Sequence, residues 1–503
     1  MRIRAGVLAV FLLVLILPAV TFGQFNLHYQ KDGAAAQDFL GWSVASAGDV
    51  NGDGKADFII GLPAFELEGE LNTGLAVVYS GASGAVLHTR KGDGNLFLLG
   101  WSVAGAGDVN GDGNDDYIVG APFSGQVNGS AFVYSGGGVL PLYQKGGAVE
   151  DLLGFSVASA GDVNGDGRAD FIIGAPGADP TAGFSGAGSA YVYSGADGSL
   201  LYEKNGGTIG DSLGFSVASA GDDNGDGKAD FIIGTPRNDP LRQDDAGTAY
   251  VYSGADGSLL YQKHGAAAGD LLGFSAASAG DVNGDGKADF IIGAPFMDVG
   301  LLSDAGTAYV YSGADGSLLY LKNGVAAGDY LGFSVASAGD VNGDGKADFI
   351  IGAPSAGAGG LSGAGSAYVH SGADGSLLGQ INGAAVGDSL GFSVASAGDV
   401  NGDGKADLII GAPSTNPGGA AKAGSAFVYG LCAAVKGDMN GSGTLSGADI
   451  VLLINCTFNE NGTGTIGGDC NLCYADVNCT GNLSGADIVS LIAATFNEAP
   501  FPC

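Results

Sequence analysis

Between residues 212 and 270 the alternation of apolar and polar positions outlines four short strands in succession. SLGFSVASAGD (212–222) sets Phe215, Val217 and Ser219 against small residues, the period of a strand with one packed face. An acidic loop follows, and then ADFIIGTP carries Phe231, Ile232 and Ile233 as an unbroken run. A short apolar run between turn residues reads as a strand buried on both faces. The polar stretch RNDPLRQDDAG precedes TAYVYSG, which again has period two; ADG is a tight turn, and SLLYQK is a fourth strand. No helical period appears in this stretch.

The unit recurs seven times. Its acidic loop reads GDVNGDGKADF with small changes, and the first aspartates are Asp49, Asp108, Asp162, Asp222, Asp281, Asp340 and Asp399. The spacings are 59, 54, 60, 59, 59 and 59 residues, and a fixed period of this length marks a repeat architecture. Seven four-stranded units suit either a β-propeller or an open stacked solenoid, and the chain ends discriminate. The last unit stops at SAFVYG (425–430) without its fourth strand, while FNLHYQKDGAAAQDFLGWS (25–43) matches SLLYQKHGAAAGDLLGFS (258–275). The first residues therefore supply the strand that the last unit lacks. Such an offset closes a ring and removes a free sheet edge, which an open solenoid does not need. The expected fold is all-β: a seven-bladed β-propeller closed by an N-terminal strand.

Composition narrows the function. Ninety-six glycines and 46% apolar residues suit tight turns between buried strands, not a disordered chain. A net charge of −34 repels nucleic acid and anionic lipid, so neither is an expected partner. The seven loops contribute 21 of the 53 acidic residues. Crowded carboxylates repel one another, and a divalent cation removes the repulsion. Calcium takes roughly six to eight oxygens at flexible geometry. In the sixth loop Asp340, Asn342 and Asp344 present oxygens at every second position, Lys346 offers its carbonyl and Asp348 closes the set. The same set recurs as Asp49, Asn51, Asp53 and Asp57; Asp108, Asn110, Asp112 and Asp116; Asp162, Asn164, Asp166 and Asp170; Asp222, Asn224, Asp226 and Asp230; Asp281, Asn283, Asp285 and Asp289; and Asp399, Asn401, Asp403 and Asp407. Seven metal-free Asx turns are the alternative, at the cost of that repulsion. Magnesium, with its rigid octahedron, fits less well.

The string LGFS…GDVNGDGKADFIIGAP resembles the FG-GAP repeat of integrin α-subunit propellers, across residues 25–430 and in all seven copies. The resemblance implies that the acidic loop joins the first two strands of a blade and holds calcium on one face, with ligand recognition on the opposite face. Trp42 and Trp101 stand where the other repeats have phenylalanine.

The two ends differ from the ring. Arg2 and Arg4 precede an apolar run from Val7 to Val20, then small residues to Gly23. This reads as a signal peptide over residues 1–23, the run being short for an uncleaved anchor. The expected division is 1–23 signal peptide, 24–430 propeller and 431–503 a separate tail, with no membrane span after cleavage and a secreted or cell-surface location. All six cysteines (Cys432, Cys456, Cys470, Cys473, Cys479, Cys503) fall in the tail and suggest disulfides of undetermined pairing. The Cys470–Cys473 CxxC lacks the second pair that a zinc site needs. Two twelve-residue loops place Asp438, Asn440, Ser442 and Asp449, and then Asp476, Asn478, Thr480 and Asp487, at loop positions one, three, five and twelve. Gly443 and Gly481 take the sharp sixth position, and each loop enters an apolar helical segment. The pattern resembles a type I dockerin, a small α-helical EF-hand-like domain, which implies up to two further calcium ions and docking onto a cohesin-like module. Ser442, Thr480 and the cysteine-bearing insert depart from that pattern, so a disulfide-stapled calcium domain that caps or tethers the ring stands beside it.

No nucleophile motif, phosphate loop or zinc cluster appears, and the chain is not expected to be an enzyme. His28, His88 and His264 fall on or just after outer strands, and His370 stands where other repeats have Tyr193, Tyr252 or Tyr311. Glu66, Glu68, Glu70 and Asp179 read as solvated loop charges. Two readings follow. In the first, the chain is an exported adhesion or binding protein that recognises an extracellular protein or glycan through the segments 64–73, 177–186, 237–245, 296–304 and 415–422, which vary while the scaffold strands barely change. In the second, the propeller is a rigid spacer and only the tail makes specific contacts. Short glycine-rich loops such as 355–363 suit a spacer; Phe65, Phe184, Phe296, Arg237 and Arg242 are the anchors a binding face would use.

Overall fold

The computed structural model describes residues 25–431, apart from 67–70, 95, 125–127, 182 and 241–242. The expected signal peptide, the six cysteines and the dockerin-like loops at 438–449 and 476–487 lie outside these residues, as do Glu68, Glu70 and Arg242. The described chain forms seven antiparallel four-stranded sheets. Single 3-10 turns lie at Ala358–Gly360 and Pro417–Gly419.

Blade one shows the plan: Ser43–Gly48, Asp57–Leu62, Leu75–Tyr79 and Val86–Lys91 pair in sequence order. The inner strand of every blade packs against the inner strands of both neighbours, the seventh against the first, so the sheets close a ring. Blade seven is completed as expected. Its own strands are Ser393–Gly398, Asp407–Ala412 and Ser425–Leu431, and Phe25–Asp32 adds the outer strand, registered from Phe25 opposite Leu431 to Asp32 opposite Ser425.

The apolar run of the second strand is buried on both faces because it lies between two neighbours. Phe58 and Ile60 pack with Ile409 and Val428 of blade seven, while Ile59 turns the other way onto Tyr117 and Val119 of blade two. Burying one such side chain contributes roughly 1.5–3 kcal/mol. The glycine ending this run is a close-approach position: a Cβ on Gly61 would lie 2.0 Å from the Gly100 carbonyl oxygen of the next blade. Gly120 meets Gly154, and Gly174 meets Gly214, in the same way.

A second device fastens the outer edges. Tyr29, Tyr143, Tyr202, Tyr261 and Tyr320 each donate a hydrogen bond of 2.6–2.8 Å to a carbonyl of the next blade (Gly81, Gly195, Gly254, Gly313 and Gly372). His88 contacts Gly136 O in the same place at 2.7 Å. The cation two residues later does likewise, and Lys145, Lys204 and Lys263 lie 4.4–4.5 Å from the ring centroids of Tyr193, Tyr252 and Tyr311. The seam between blades six and seven replaces this clasp: Gly379 and Ile381 occupy the two positions, and Leu378, Ile381, Phe25, Tyr429 and Leu431 fill the seam with apolar contact.

Removing residues 25–32 would leave the third strand of blade seven as an open edge and delete the Tyr29 and Lys31 bonds to blade one. A thermal melt and size-exclusion chromatography of that deletion should show a lower Tm and self-association through the exposed edge. A monomer with an unchanged Tm would contradict ring closure by this strand.

Candidate functional site

Up-and-down pairing sends the acidic loop and the turn between the third and fourth strands to one face of the ring. The varied segments and the connections between blades go to the other.

On the first face each acidic loop is organised by its opening aspartate. Asp49 Oδ1 accepts from the amides of Gly52 at 2.7 Å and Asp53 at 3.0 Å, and Oδ2 from Gly54 at 2.8 Å. Asp108, Asp162, Asp222, Asp281, Asp340 and Asp399 accept the same three amides of their own loops. The fifth residue, Asp53 or its equivalent, is exposed and accepts from the amide two residues on. Asn51 and Asn401 turn their amide groups inward onto the ninth residue, as Asn164, Asn224, Asn283 and Asn342 do. Asn110 instead donates to Asp112.

The ninth residue is the surprise. Asp57, Asp116, Asp170, Asp230, Asp289, Asp348 and Asp407 are all buried. Asp57 accepts the Val50 amide of its own loop at 3.1 Å and the Gly81 amide of the next turn at 2.9 Å. Burial raises Asp57, Asp116, Asp170, Asp230, Asp289 and Asp348 to about 6 in spite of these bonds. Asp407 is also raised by burial, against the pull of His28, whose Nε2 stands 3.4 Å away. Sequence spacing alone does not separate this buried aspartate from the exposed ones of the loop.

The residue types suit a hard, oxygen-seeking cation: carboxylates and an amide oxygen, with no lysine or arginine paired to them among the described residues and His28 beside Asp407 as the one basic neighbour there. Lys55, Lys346 and Lys405 instead reach the carbonyls of Asn401, Asn283 and Asn342 in the neighbouring loop. Among the described residues, no group of three or more ligating side chains is gathered in the arrangement of a metal centre.

The fourth loop carries an exception. Asp223 stands where the other loops have Val50, Val109, Val163, Val282, Val341 and Val400, and like them it is buried. Neither carboxylate oxygen has a hydrogen-bond partner among the described residues. Burial, and then the nearby Asp230, Asp289 and Asp222, push it up to about 9.

On the second face the aromatic residue of each LGFS or LGWS segment closes a circle. Trp42, Trp101, Phe155, Phe215, Phe274, Phe333 and Phe392 touch in turn with centroid separations of 4.7–5.6 Å, and Phe392 returns to Trp42. Phe215 immediately precedes its strand, which begins at Ser216, so it sits at the start of the inner strand on the face of the connections between blades. The residue three before each aromatic (Phe39, Leu98, Leu152, Ser212, Leu271, Tyr330 and Ser389) has φ of 52–58°, a left-handed conformation imposed on non-glycine residues.

The varied segments are tied to these connections. Gly210 N donates to Ser185 O, Gly269 N to Asp244 O, Gly328 N to Ser303 O and Gly387 N to Ser362 O. Asp38, Asp211, Asp270, Asp329 and Asp388 are buried in the connections and accept pairs of amides. Their recurrence before each LGFS is visible in the sequence but is masked there by the louder acidic loops. Of the expected anchors, Phe65 and Phe296 are half-buried against neighbouring side chains, whereas Phe184 and Arg237 are exposed. His28, His88 and His264 lie on outer strands, and His370 is on the third strand of blade six, lowered to about 4 by burial and Lys322.

A ring of four-stranded blades with a repeated acidic loop on one face and varied segments on the other defines a β-propeller of the integrin-α type. The FG-GAP repeat matches residues 40–79, 99–134, 153–193, 213–252, 273–311, 331–370 and 390–429, more than half of the chain, and the protein belongs to the FG-GAP repeat family. It is 33% identical over 218 residues to integrin alpha-V of Gallus gallus, covering 41% of this chain and 21% of that protein. Integrin alpha-PS3 of Drosophila melanogaster is 32% identical over 156 residues (28% and 14%), and integrin alpha-5 of Xenopus laevis 33% over 171 residues (30% and 16%). The chain therefore spans about a fifth or less of the length of these curated relatives. Among the described residues no helix is long and apolar enough to cross a membrane.

Asp223 gives a direct test. Its folded pKa lies far above the unfolded value, so its contribution is most favourable below pH about 4 and is lost as pH rises toward 9. Asp223→Val should restore the packing of the other six loops and gain on the order of 2–4 kcal/mol at pH 8. The Tm difference from the parent should widen between pH 5 and pH 9. A variant that melts at or below the parent at pH 8 would show that Asp223 is satisfied in solution.

Proposed function

We propose that the protein is an exported, calcium-binding adhesion or binding protein, not an enzyme. The propeller is its recognition scaffold, and the dockerin-like tail serves attachment or assembly. The observation that carries this reading is the division between the two faces: near-identical acidic loops on one side, and on the other varied segments fastened to the scaffold by backbone hydrogen bonds. Loops ordered before binding lose less entropy on binding, which favours recognition.

In this reading each acidic loop holds one calcium ion through its first, third, fifth and ninth residues, giving up to seven in the ring and up to two in the tail. The bound ion supplies the positive charge that the crowded carboxylates lack. The fit rests on the all-oxygen donor set and on the elevated pKa of the buried ninth aspartates, which a neighbouring divalent cation would reverse. The partner is an extracellular protein or glycan, with a cohesin-like module as a second partner through the tail; the location is secreted or cell-surface.

Two measurements test this. Each site filled at about 100 times its Kd adds about 2.7 kcal/mol, so excess EGTA should lower the Tm strongly. An unchanged melt removes structural calcium from the proposal. A calcium-dependent pull-down from surface and secreted fractions, with residues 24–503 beside 24–430, should capture a partner with both. Capture by the longer chain alone would make the propeller a spacer and the tail the only docking element.

A further inference from the structure

On the face that carries the varied segments, the junction of blades three and four is concave. A cleft of about 400 Å³ opens there, with Leu152, Phe155, Pro176 and Phe215 as apolar walls, Ser212 at the edge and Arg237 at the mouth. Phe155 and Phe215 are adjacent members of the aromatic circle, 4.9 Å apart. Leu152 and Ser212 are two of the left-handed residues, at φ 57° and 58°, so this backbone is held in place rather than free to collapse into the cleft. Phe184 and Ile209, two residues and one residue before the lining Gly186 and Gly210, are exposed at 37% and 69%. An apolar patch with a defined concavity marks an interaction surface.

Arg237 is the basic residue of the cleft lining; Lys91, Arg168, Lys228, Lys287 and Lys422 also lack a side-chain hydrogen bond or ion pair among the described residues but do not line it. Lys31, Lys145, Lys204, Lys263 and Lys322 bond carbonyls in the blade clasps, and Lys55, Lys346 and Lys405 bond carbonyls of neighbouring acidic loops. Arg237 is exposed and makes no hydrogen bond or ion pair with any described residue. Of the carboxylates nearest in sequence to the lining, Asp151, Asp179, Asp211 and Asp239 accept amides, Asp211 also from the side chain of Asn238, whereas Glu150 is exposed and makes no side-chain hydrogen bond or ion pair among the described residues. A guanidinium left unpaired over apolar walls, in a chain of net charge −34, is complementary to an anion attached to an apolar group.

We propose that this cleft seats an apolar side chain of a partner protein, most readily an aromatic one, with an adjacent carboxylate paired to Arg237. The inference rests on the reading of the propeller as a binding scaffold and assigns that activity to one place on it.

The test uses ligand-observed saturation-transfer NMR on the full chain. N-acetyl-L-phenylalanine is the probe, and phenethylamine and 2-phenylethanol are the cationic and neutral controls. N-acetylphenylalanine should bind more strongly than both, lose at least tenfold in affinity with Arg237→Glu, and recover in part with Arg237→Lys. Phe215→Leu should weaken all three compounds. Equal binding of the anionic and cationic probes, or binding untouched by Arg237→Glu, overturns the proposal. A peptide of residues 494–500, which holds Phe496 and Glu498, tests the chain's own tail as the occupant; binding tighter than the probe would replace the partner with that segment and overturn the assignment. Partner capture by the parent chain that survives Arg237→Glu overturns the cleft alone. Absence of capture by the parent chain overturns the scaffold reading with it.

Discussion

Each blade hangs on a carboxylate placed where carboxylates are costly. The ninth aspartate of the acidic loop is buried, yet it accepts one amide from its own loop and another from the turn that joins the third and fourth strands, as Asp170 does from Val163 and Gly195. One side chain thus gathers both turns on its face of the blade. Desolvation opposes its charge, and the amides offset part of that cost without restoring an ordinary pKa. Blade seven adds a third contact. His28, on the strand that closes the ring, reaches both Asp407 and Asn401, so closure and loop architecture meet at one carboxylate.

The seams between blades obey a different constraint. The second strand must present apolar groups to two neighbours at once, which a period-two strand can do only with an unbroken apolar run. The glycine that follows leaves room for the next blade's backbone, since a Cβ on Gly61 would lie 2.0 Å from Gly100 O, while its own carbonyl accepts the Gly41 amide of the same blade at 3.2 Å. Outer edges are then fastened by tyrosine and lysine at five seams, by His88 and Arg90 at a sixth and by apolar packing at the seventh. That exception adjoins the closing strand, where Phe25 and Leu431 extend beyond the length of the other outer hairpins and cover Leu378. Extra strand length supplies there what Gly379 and Ile381 cannot.

Most of this ring is legible in the residues. The period, the apolar run and the match between residues 25–43 and 258–275 together specify seven blades and their closure, because each is a local pattern with one geometric solution. What is not legible depends on contacts between repeats. Asp57 and Asp53 are alike as letters, but only the fold buries one and exposes the other. The aromatic circle needs all seven blades before Trp42 can meet Phe392. The outward cleft is harder still, since Phe155 belongs to one repeat and Phe215 and Arg237 to the next, and only the packing of the two blades places them around one opening. Asp223 is the reverse case: its departure from valine is plain in the sequence, but only burial shows that the substitution is unfavourable.

The separation of the two faces explains how such a chain can diversify. Identity on the acidic side is demanded by geometry, since each loop must cap its own amides, bury its ninth residue and receive a lysine or an amide from its neighbour. The opposite segments meet no such demand once their ends are tied to the connections. Asp211 holds two amides of the connection before blade four and, through Asn238, the start of the varied segment that carries Arg237. The fixed part of the blade thereby positions the part that changes. A substitution at Arg237 or Phe184 alters what the face presents without touching any bond that closes the ring, and this independence is what a recognition surface on a repeat scaffold requires.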